Sequence, residues 1–125
     1  MGLDNYVILQ VAPETKVPIS FEHLRDSAAC WEYELCYWRR SYRIRNFILD
    51  LVQEDYNDAL HYYEIPKDRV KDIIKFLSSF NRYNWPAASF YEWSFAKKML
   101  RHQIKRLKKL RKIRGDYRLI FIDSY

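Results

Sequence analysis

Short apolar segments rich in β-branched residues lie near both ends of this sequence, and they constrain its fold more than any other feature. They cover residues 6–12 and 117–122. Each is too short for an amphipathic helix, and its composition predicts a buried strand. Because a small domain builds its strands around one core, we expect these two segments to be neighbours in a single sheet.

The residues between the two terminal strands alternate between helical and extended patterns. Apolar side chains recur at helical spacing in residues 37–52 and again in residues 66–79, which predicts two helices. A short helix over residues 20–29 is predicted from the serine at its start, which is a suitable N-cap. Alternating or apolar segments at residues 32–38 and 61–65 predict further strands.

A third and longest helix is predicted before the last strand. Ser89 and Glu92 match a capping box, and Gly115 is a natural stop after Arg114. A helix of that length would extend roughly 35 Å. The order of elements predicts one α+β domain over residues 1–125. We expect a small mixed or antiparallel sheet with adjacent terminal strands, packed by about three helices, the last one long and basic.

The basic residues are concentrated in that last helix. Ten of the 22 Lys and Arg residues fall within residues 97–114, which contain no Asp or Glu, and the rest of the chain is mildly acidic. This asymmetry predicts a negatively charged partner. The candidate binding residues are Lys98, Arg101, Lys105, Lys108, Lys109 and Lys112. The alternative is a solvated helix whose cations partly serve the negative end of its dipole.

A second candidate surface combines arginine with aromatic residues in residues 31–45. Its candidate binding residues are Arg39, Arg40, Tyr42 and Arg43. Tyr, Trp and Arg are enriched at binding hot spots. Arginines in the first turns of a helix also oppose its dipole, so Glu32, Glu34 or a partner must compensate them. The alternative is that half of the aromatic residues belong to the core and the arginines pair with acids of the same domain.

The sequence contains no motif for catalysis or for a cofactor. Two glycines are too few for a glycine-rich phosphate loop. The histidines and the cysteines Cys30 and Cys36 lack the spacing of a metal site, so we expect no metal and no enzymatic activity. The acidic residues Glu54, Asp55 and Asp58 are interpreted as a polar loop. Two cysteines suit a reducing cytoplasm, and no apolar run approaches the roughly 18 residues that span a bilayer.

Several segments resemble a group of small uncharacterised phage and prophage proteins. The matching segments are Gly2-Leu3-Asp4-Asn5-Tyr6 at the start and Tyr37-Trp38-Arg39-Arg40 before a helix. The chain departs from the group at Tyr42 and Arg45, where Asn and His are usual, and at residues 84–88, which replace a Gly- and Phe-rich hairpin. The resemblance implies a phage origin and a small accessory protein of the host-cell cytoplasm. Such proteins often bind and block a host factor, including restriction and CRISPR defences.

Two functions remain open from the sequence. The first is a non-enzymatic inhibitor that binds a host protein or nucleoprotein complex through the basic helix and the arginine-aromatic surface. The second is a direct nucleic-acid-binding protein that applies the same helix to phosphates. Direct phosphate binding weakens steeply with salt, whereas a protein interface with an aromatic centre weakens much less. The oligomeric state is not determined by any of these patterns.

Overall fold

The computed structural model of the chain describes residues 3–52 and 61–124, which form a five-stranded antiparallel sheet and three α-helices. The predicted acidic loop at Glu54, Asp55 and Asp58 lies outside the described residues. The strands are β1 (Asp4–Val11), β2 (Glu22–Asp26), β3 (Trp31–Arg39), β4 (Tyr62–Ile65) and β5 (Tyr117–Ser124). Their order across the sheet is β2-β3-β1-β5-β4. The predicted α+β fold is confirmed.

The two terminal strands are neighbours at the centre of the sheet, as the sequence predicts. Val7 of β1 lies opposite Phe121 of β5, and Leu9 lies opposite Leu119. All four side chains are almost completely buried. Alternate residues of a strand point to opposite faces, so these positions build the face of the sheet that packs against the helices.

Three helices complete the core. They are α1 (Tyr42–Leu49), α2 (Val70–Ser78) and α3 (Trp93–Lys108). A 3-10 turn, Lys67–Arg69, precedes α2, and a second one, Lys109–Lys112, continues α3. Buried residues of all three helices join those of β1, β3, β4 and β5 in one hydrophobic cluster. The helix predicted over residues 66–79 and the strand predicted over residues 61–65 therefore have their expected types.

A buried polar cluster joins the central strands to α1. Asp123 of β5 accepts hydrogen bonds from Arg45 Nε and Nη2, both at 2.8 Å, and from Asn5 Nδ2 at 2.7 Å. The side chain of Asp123 is 2% exposed and that of Arg45 18% exposed. An ion pair this deeply buried needs several hydrogen bonds to offset the cost of removing both charges from water.

The helix predicted over residues 20–29 is wrong, because this segment contains β2. Every residue of β2 is exposed, so the strand lacks the alternation of apolar and polar residues that identifies a half-buried strand in a sequence. Its conformation comes from pairing with β3, in which His23 lies opposite Tyr33. A suitable N-cap serine was therefore misleading in this segment.

The helix predicted from Tyr37 begins five residues later, at Tyr42. Tyr37 and Trp38 belong to β3, where they lie opposite Tyr6 and Asn5 of β1. The helical spacing of Tyr37 relative to Ser41 and Ile44 is overridden by strand pairing. The strand predicted over residues 32–38 is confirmed as part of β3. Arg39 is consequently a strand residue.

The capping box predicted at Ser89 does not form. The Ser89 hydroxyl accepts the Tyr91 N–H within the preceding loop, and α3 begins at Trp93 with Glu92 in the N-cap position. The 16 residues of α3 extend about 24 Å at 1.5 Å per residue. The four residues of the 3-10 turn add about 8 Å, so the helical segment is slightly shorter than predicted because it starts later.

Candidate functional site

One side of α3 is a cationic face. Ala96, Leu100, Gln103 and Leu107 are buried and define the inner side of the helix. Successive residues of an α-helix are about 100° apart around its axis. On that basis a group of exposed basic residues falls within an arc of about 100° on the outer side. We call this group the cationic face: Lys97, Lys98, Arg101, Lys105 and Lys108.

The cationic face is not neutralised by any acid in the part of the chain that the structure describes. Within residues 3–52 and 61–124, none of the ten basic residues of the 97–114 segment forms an ion pair. Five cations elsewhere in the described chain do pair with Asp or Glu. They are Arg25, Arg45, Lys67, Arg69 and Arg118. The positive charge of the cationic face is therefore directed to solvent and not to an acid of the described residues.

The predicted binding residues of this helix do not all lie on the cationic face. Lys98, Arg101, Lys105 and Lys108 do, and Lys112 is exposed on the following 3-10 turn. Lys109 is half-buried, and its ammonium group donates to the Ser20 hydroxyl at 3.2 Å.

Gln103 of the inner side of α3, and Arg106 beside it, cover an edge of the sheet. β2 pairs only with the first half of β3, from Trp31 to Glu34. Beyond that point, side chains occupy the outer edge of β3. Gln103 Nε2 donates to the Tyr37 carbonyl and Arg106 Nη1 donates to the Leu35 carbonyl, both at 3.2 Å. The Arg39 N–H donates to the Tyr91 hydroxyl at 2.9 Å. Side chains thus satisfy backbone groups that a neighbouring strand would otherwise satisfy.

Gln103 is fixed in this position by a buried tryptophan. Trp38 Nε1 donates to Gln103 Oε1 at 2.8 Å, and the two residues are 0% and 2% exposed. Both ends of the Gln103 amide are therefore bonded to β3. A polar residue in an otherwise apolar helix stripe was the one sequence signal for this contact.

A groove of about 460 Å³ follows the same edge of β3. Its apolar wall contains Phe90, Tyr91, Phe95 and Met99. The Tyr91 and Phe95 rings stack with their centres 5.4 Å apart. Phe90 and Phe95 are 53% and 58% exposed. Large aromatic side chains with half of their surface in water are typical of binding surfaces when they lie together.

Arg39 lies at one end of this groove. Its guanidinium carbon is 5.2 Å from the centre of the Phe90 ring, within the range of a cation–π contact. The Arg39 Nε–H is shielded from solvent, yet within the described part of the chain it donates no hydrogen bond. Among the described residues, Asn5 Oδ1 is the other buried side-chain nitrogen or oxygen atom that has no hydrogen-bond partner.

Asp4, which lies opposite Arg39 in the sheet, does not neutralise it. The Asp4 carboxylate instead accepts the Tyr37 hydroxyl at 2.8 Å. Burial, together with this hydrogen bond and the negative charge of Asp4, raises the pKa of Tyr37 to about 12. At neutral pH, Tyr37 is therefore protonated and donates to Asp4. Arg39 is left without an acidic partner among the described residues.

Carboxylates lie at the opposite end of the groove. Burial raises the pKa of Glu34, the negative charge of Glu22 adds to the increase, and the nearby Arg106 opposes it. The groove is therefore polarised, with Arg39 at its positive end and Glu22, Glu34 and Arg106 at a mixed end.

The remaining predicted residues surround a separate cavity of about 120 Å³ between α1 and the loop before α3. Arg40, Tyr42 and Arg43 line it together with Phe80 and Trp85. Arg43 Nη1 donates to the Asn84 carbonyl at 3.1 Å, and its guanidinium carbon is 5.3 Å from the centre of the Phe80 ring.

Arg40 occupies an unfavourable backbone conformation at the mouth of this cavity. Its φ is 51°, in the left-handed region, and its N–H donates to the Leu3 carbonyl at 2.8 Å. Neither Arg40 nor Arg43 pairs with an acid among the described residues. The sequence left open whether the arginines of this segment pair with an acid of the same domain. Arg45 does so, and its partner is Asp123 rather than Glu32 or Glu34.

The structure thus places the predicted residues in three neighbouring regions. Arg39 shares the groove with Phe95 and Met99 of α3, whereas Arg40, Tyr42 and Arg43 line the small cavity. The groove also contains Phe90, Tyr91, Gln103 and Arg106, which the sequence did not identify as site residues.

No three His, Cys, Asp or Glu side chains of the described residues lie close enough together to hold a metal ion. The helices of residues 3–52 and 61–124 include none that is long and apolar enough to cross a membrane. Comparison of the chain with protein-family models, with curated proteins and with solved structures gives no match.

Proposed function

We propose that this protein binds an acidic surface of a partner protein through the cationic face and thereby inhibits that partner. The single observation that carries the proposal is the unneutralised charge of α3. The acids of residues 3–52 and 61–124 pair with other cations or with none, and none of them forms an ion pair with the cationic face. A partner supplies the negative charge that these described residues do not.

The arrangement of these cations disfavours an isolated helix. Lys97, Arg101 and Lys105 follow one another at intervals of four residues. Like charges at this spacing destabilise a helix by about 0.2–0.5 kcal/mol per pair. Solubility alone is achieved equally well by a mixture of signs, which would stabilise the helix. The like-signed arrangement is therefore better explained by binding.

Exposed aromatic side chains favour a protein as the partner. Phe90, Phe95, Tyr42 and Tyr83 are each more than half exposed and lie in α1, in the loop before α3 or at the start of α3. Aromatic residues and arginine are enriched at the centres of protein interfaces. The resemblance to small phage proteins suggests a host factor, such as a restriction or CRISPR complex, as the partner.

A direct nucleic-acid-binding function is the second candidate, because the same row of cations could contact phosphates. The two candidates differ in salt dependence. With six or more phosphate contacts, affinity for bare nucleic acid falls about a thousandfold or more between 50 and 200 mM salt. A complex with an acidic protein that also buries aromatic residues loses much less.

The test is a charge reversal on the cationic face. A variant with Lys98, Arg101, Lys105 and Lys108 changed to Glu is compared with a control in which Lys16, Lys71, Lys75 and Arg82 are changed to Glu. The control residues are exposed cations without an ion pair among the described residues, so both variants carry the same change in charge. Pull-downs from a bacterial lysate with and without nuclease are followed by titrations of the recovered partner at several salt concentrations.

We expect the partner to be recovered by the wild type and by the control after nuclease treatment, but not by the cationic-face variant. Equal recovery by both variants would show that the charge serves only solubility. Steeply salt-dependent binding to bare DNA or RNA, with no protein recovered after nuclease, would establish the second candidate.

A further inference from the structure

We infer that the groove along the outer edge of β3 binds an acidic side chain next to a large apolar one in an extended segment of the partner, with Arg39 as the ligand of the carboxylate. This inference rests on the proposed function, because it specifies what part of the same partner is recognised. It concerns a different surface of α3 from the cationic face, so the two can be tested separately.

The state of Arg39 indicates a carboxylate. Its Nε–H is shielded from solvent and donates no hydrogen bond within the described residues, whereas its two Nη groups are neither shielded nor bonded there, so they are the donors that a ligand in the groove can reach. The two Nη groups of a guanidinium match the two oxygens of a carboxylate end-on. Asp4, the nearest acid across the sheet, is bonded to Tyr37 instead.

The groove holds Arg39 in place for such a contact. Its backbone N–H is bonded to the Tyr91 hydroxyl, and its guanidinium lies over Phe90. Tyr91 is in turn packed against Phe95 and against Phe90, with ring centres 5.4 and 5.1 Å apart. A donor that is already oriented loses little conformational freedom when it binds.

The apolar wall fits a large side chain beside the acid. The rings of Phe90 and Phe95 are half-exposed, and the flexible side chain of Met99 lines the same groove. The volume of about 460 Å³ lies within the range of roughly 300–1,000 Å³ that is usual for ligand pockets. Burial of a partner's phenylalanine or leucine against these rings would supply most of the contact area.

Carboxylates at the far end limit what the groove accepts. Glu22 and Glu34 outnumber Arg106 at this end, so one acid beside an apolar residue is preferred over a run of acids. A phosphate backbone, which is charged at every nucleotide, is disfavoured for the same reason. Stacking of nucleic-acid bases on the two phenylalanines is therefore disfavoured, although base stacking on aromatic residues is common in single-strand binding.

The test uses short capped peptides as probes of the intact protein. Acetyl-Asp-Phe-amide is titrated into ¹⁵N-labelled protein while the side-chain Nε–H resonance of Arg39 is followed by NMR. Acetyl-Asn-Phe-amide is the matched neutral probe, and single-stranded oligothymidylate is the nucleic-acid probe. We expect a saturable shift with the acidic peptide and binding about tenfold or more weaker with the neutral peptide, since a charge-assisted hydrogen bond is lost.

Variants identify the group responsible. Arg39→Lys keeps the charge but removes the fork, and we expect about tenfold or more weaker binding, followed at the backbone amides of Phe90 and Tyr91 because this variant lacks the Arg39 Nε–H. Phe95→Ala, outside the core, should weaken binding while leaving in place Phe90, the ring that lies against the Arg39 guanidinium.

The matched control is Arg101→Lys on the cationic face, which should bind the peptide as the wild type does. The Trp38 Nε1–H resonance, whose proton is bonded to Gln103, reports that each variant keeps its fold.

The outcomes separate this inference from the proposed function. The charge reversal on the cationic face should leave peptide binding intact even though it abolishes recovery of the partner. Absence of a saturable shift at Arg39, equal affinity for the neutral peptide, or tighter binding of oligothymidylate would each overturn the groove inference, whatever the result of the pull-down.

Discussion

The buried cluster of Asn5, Arg45 and Asp123 and the cationic face of α3 both rely on positive side chains, but they use the charge in opposite ways. In the cluster, Arg45 makes two hydrogen bonds of 2.8 Å to a carboxylate that is 2% exposed. On the cationic face, five neighbouring cations are exposed and none pairs with a described acid. The first arrangement holds the domain together, whereas the second leaves its charge available to another molecule.

Solvent explains why one chain contains both arrangements. A charge removed from water is tolerated only when a partner and hydrogen bonds replace its hydration. A charge that stays in water keeps its hydration and is screened from its neighbours. Substitutions in the cluster should therefore change the free energy of unfolding, and substitutions on the cationic face should change binding.

The largest effect on stability is expected for Arg45→Ala. The change leaves the buried Asp123 carboxylate without its main partner, which costs about 3 kcal/mol, the lower end of the usual range because Arg45 is partly exposed and Asn5 still donates. Urea unfolding measures the loss. The matched control is Arg101→Ala on the cationic face, which should change stability by no more than about 0.5 kcal/mol. Equal losses in the two variants would remove the distinction between the two regions.

An intermediate effect is expected for Gln103→Leu. This change leaves the buried Trp38 Nε1–H and the Tyr37 carbonyl without a partner, at a cost of about 1–3 kcal/mol. The tryptophan emission should also change, because its indole loses a hydrogen bond. Lys105→Leu introduces the same side chain on the exposed side of α3 and serves as the control. An unchanged free energy of unfolding in Gln103→Leu would mean that α3 does not stabilise the edge of β3 through this residue.

The smallest effect is expected for Glu34→Gln. Because the pKa of Glu34 is raised, folding disfavours its charged form, and its contribution to stability is present below the ordinary pKa of 4.5 and lost as pH rises through the folded value. The variant should therefore be slightly more stable than the wild type at neutral pH, by about 0.5 kcal/mol or less because solvent screens the site. The difference should vanish below pH 4.5.

Paired unfolding curves at the two pH values test this prediction, with the exposed Glu14→Gln as a control that should show no difference. A variant that is less stable at neutral pH would show that Glu34 is stabilised by Arg106 more than it is penalised by burial and by Glu22.

The fold was predictable where local pattern and tertiary structure agree. The terminal strands are apolar because the sheet buries them, and the stripe of α2 follows its contact with the core. Prediction failed for β2, which is exposed throughout and exists because it pairs with β3. It also failed for the start of the first helix, because Tyr37 has helical spacing to Ser41 and Ile44 but lies in β3, the strand that the alternation of residues 32–38 had predicted.

The candidate site was predictable only as separate residues. Composition identifies the basic helix, and hot-spot preferences favour Arg39, Arg40 and Arg43 alike. Sequence gives no means of knowing that Arg39 and Arg45 differ, since the difference lies in the distance of each from an acid. The contributions of Phe90, Gln103 and Arg106 likewise depend on α3 and the loop before it lying along the half of β3 that β2 does not cover.

Because β1 and β5 are neighbours at the centre of the sheet, the domain cannot complete its fold until β5 has been synthesised. Asn5 and Asp123 are bonded to each other although 118 residues separate them. Contacts between such distant residues form slowly, because the entropy of closing a long loop must be overcome first. Synthesis delivers β1 early and β5 late. A ribosome-bound chain halted before β5 therefore exposes the unpaired edge of its central strand, the state in which this sheet is most prone to aggregate.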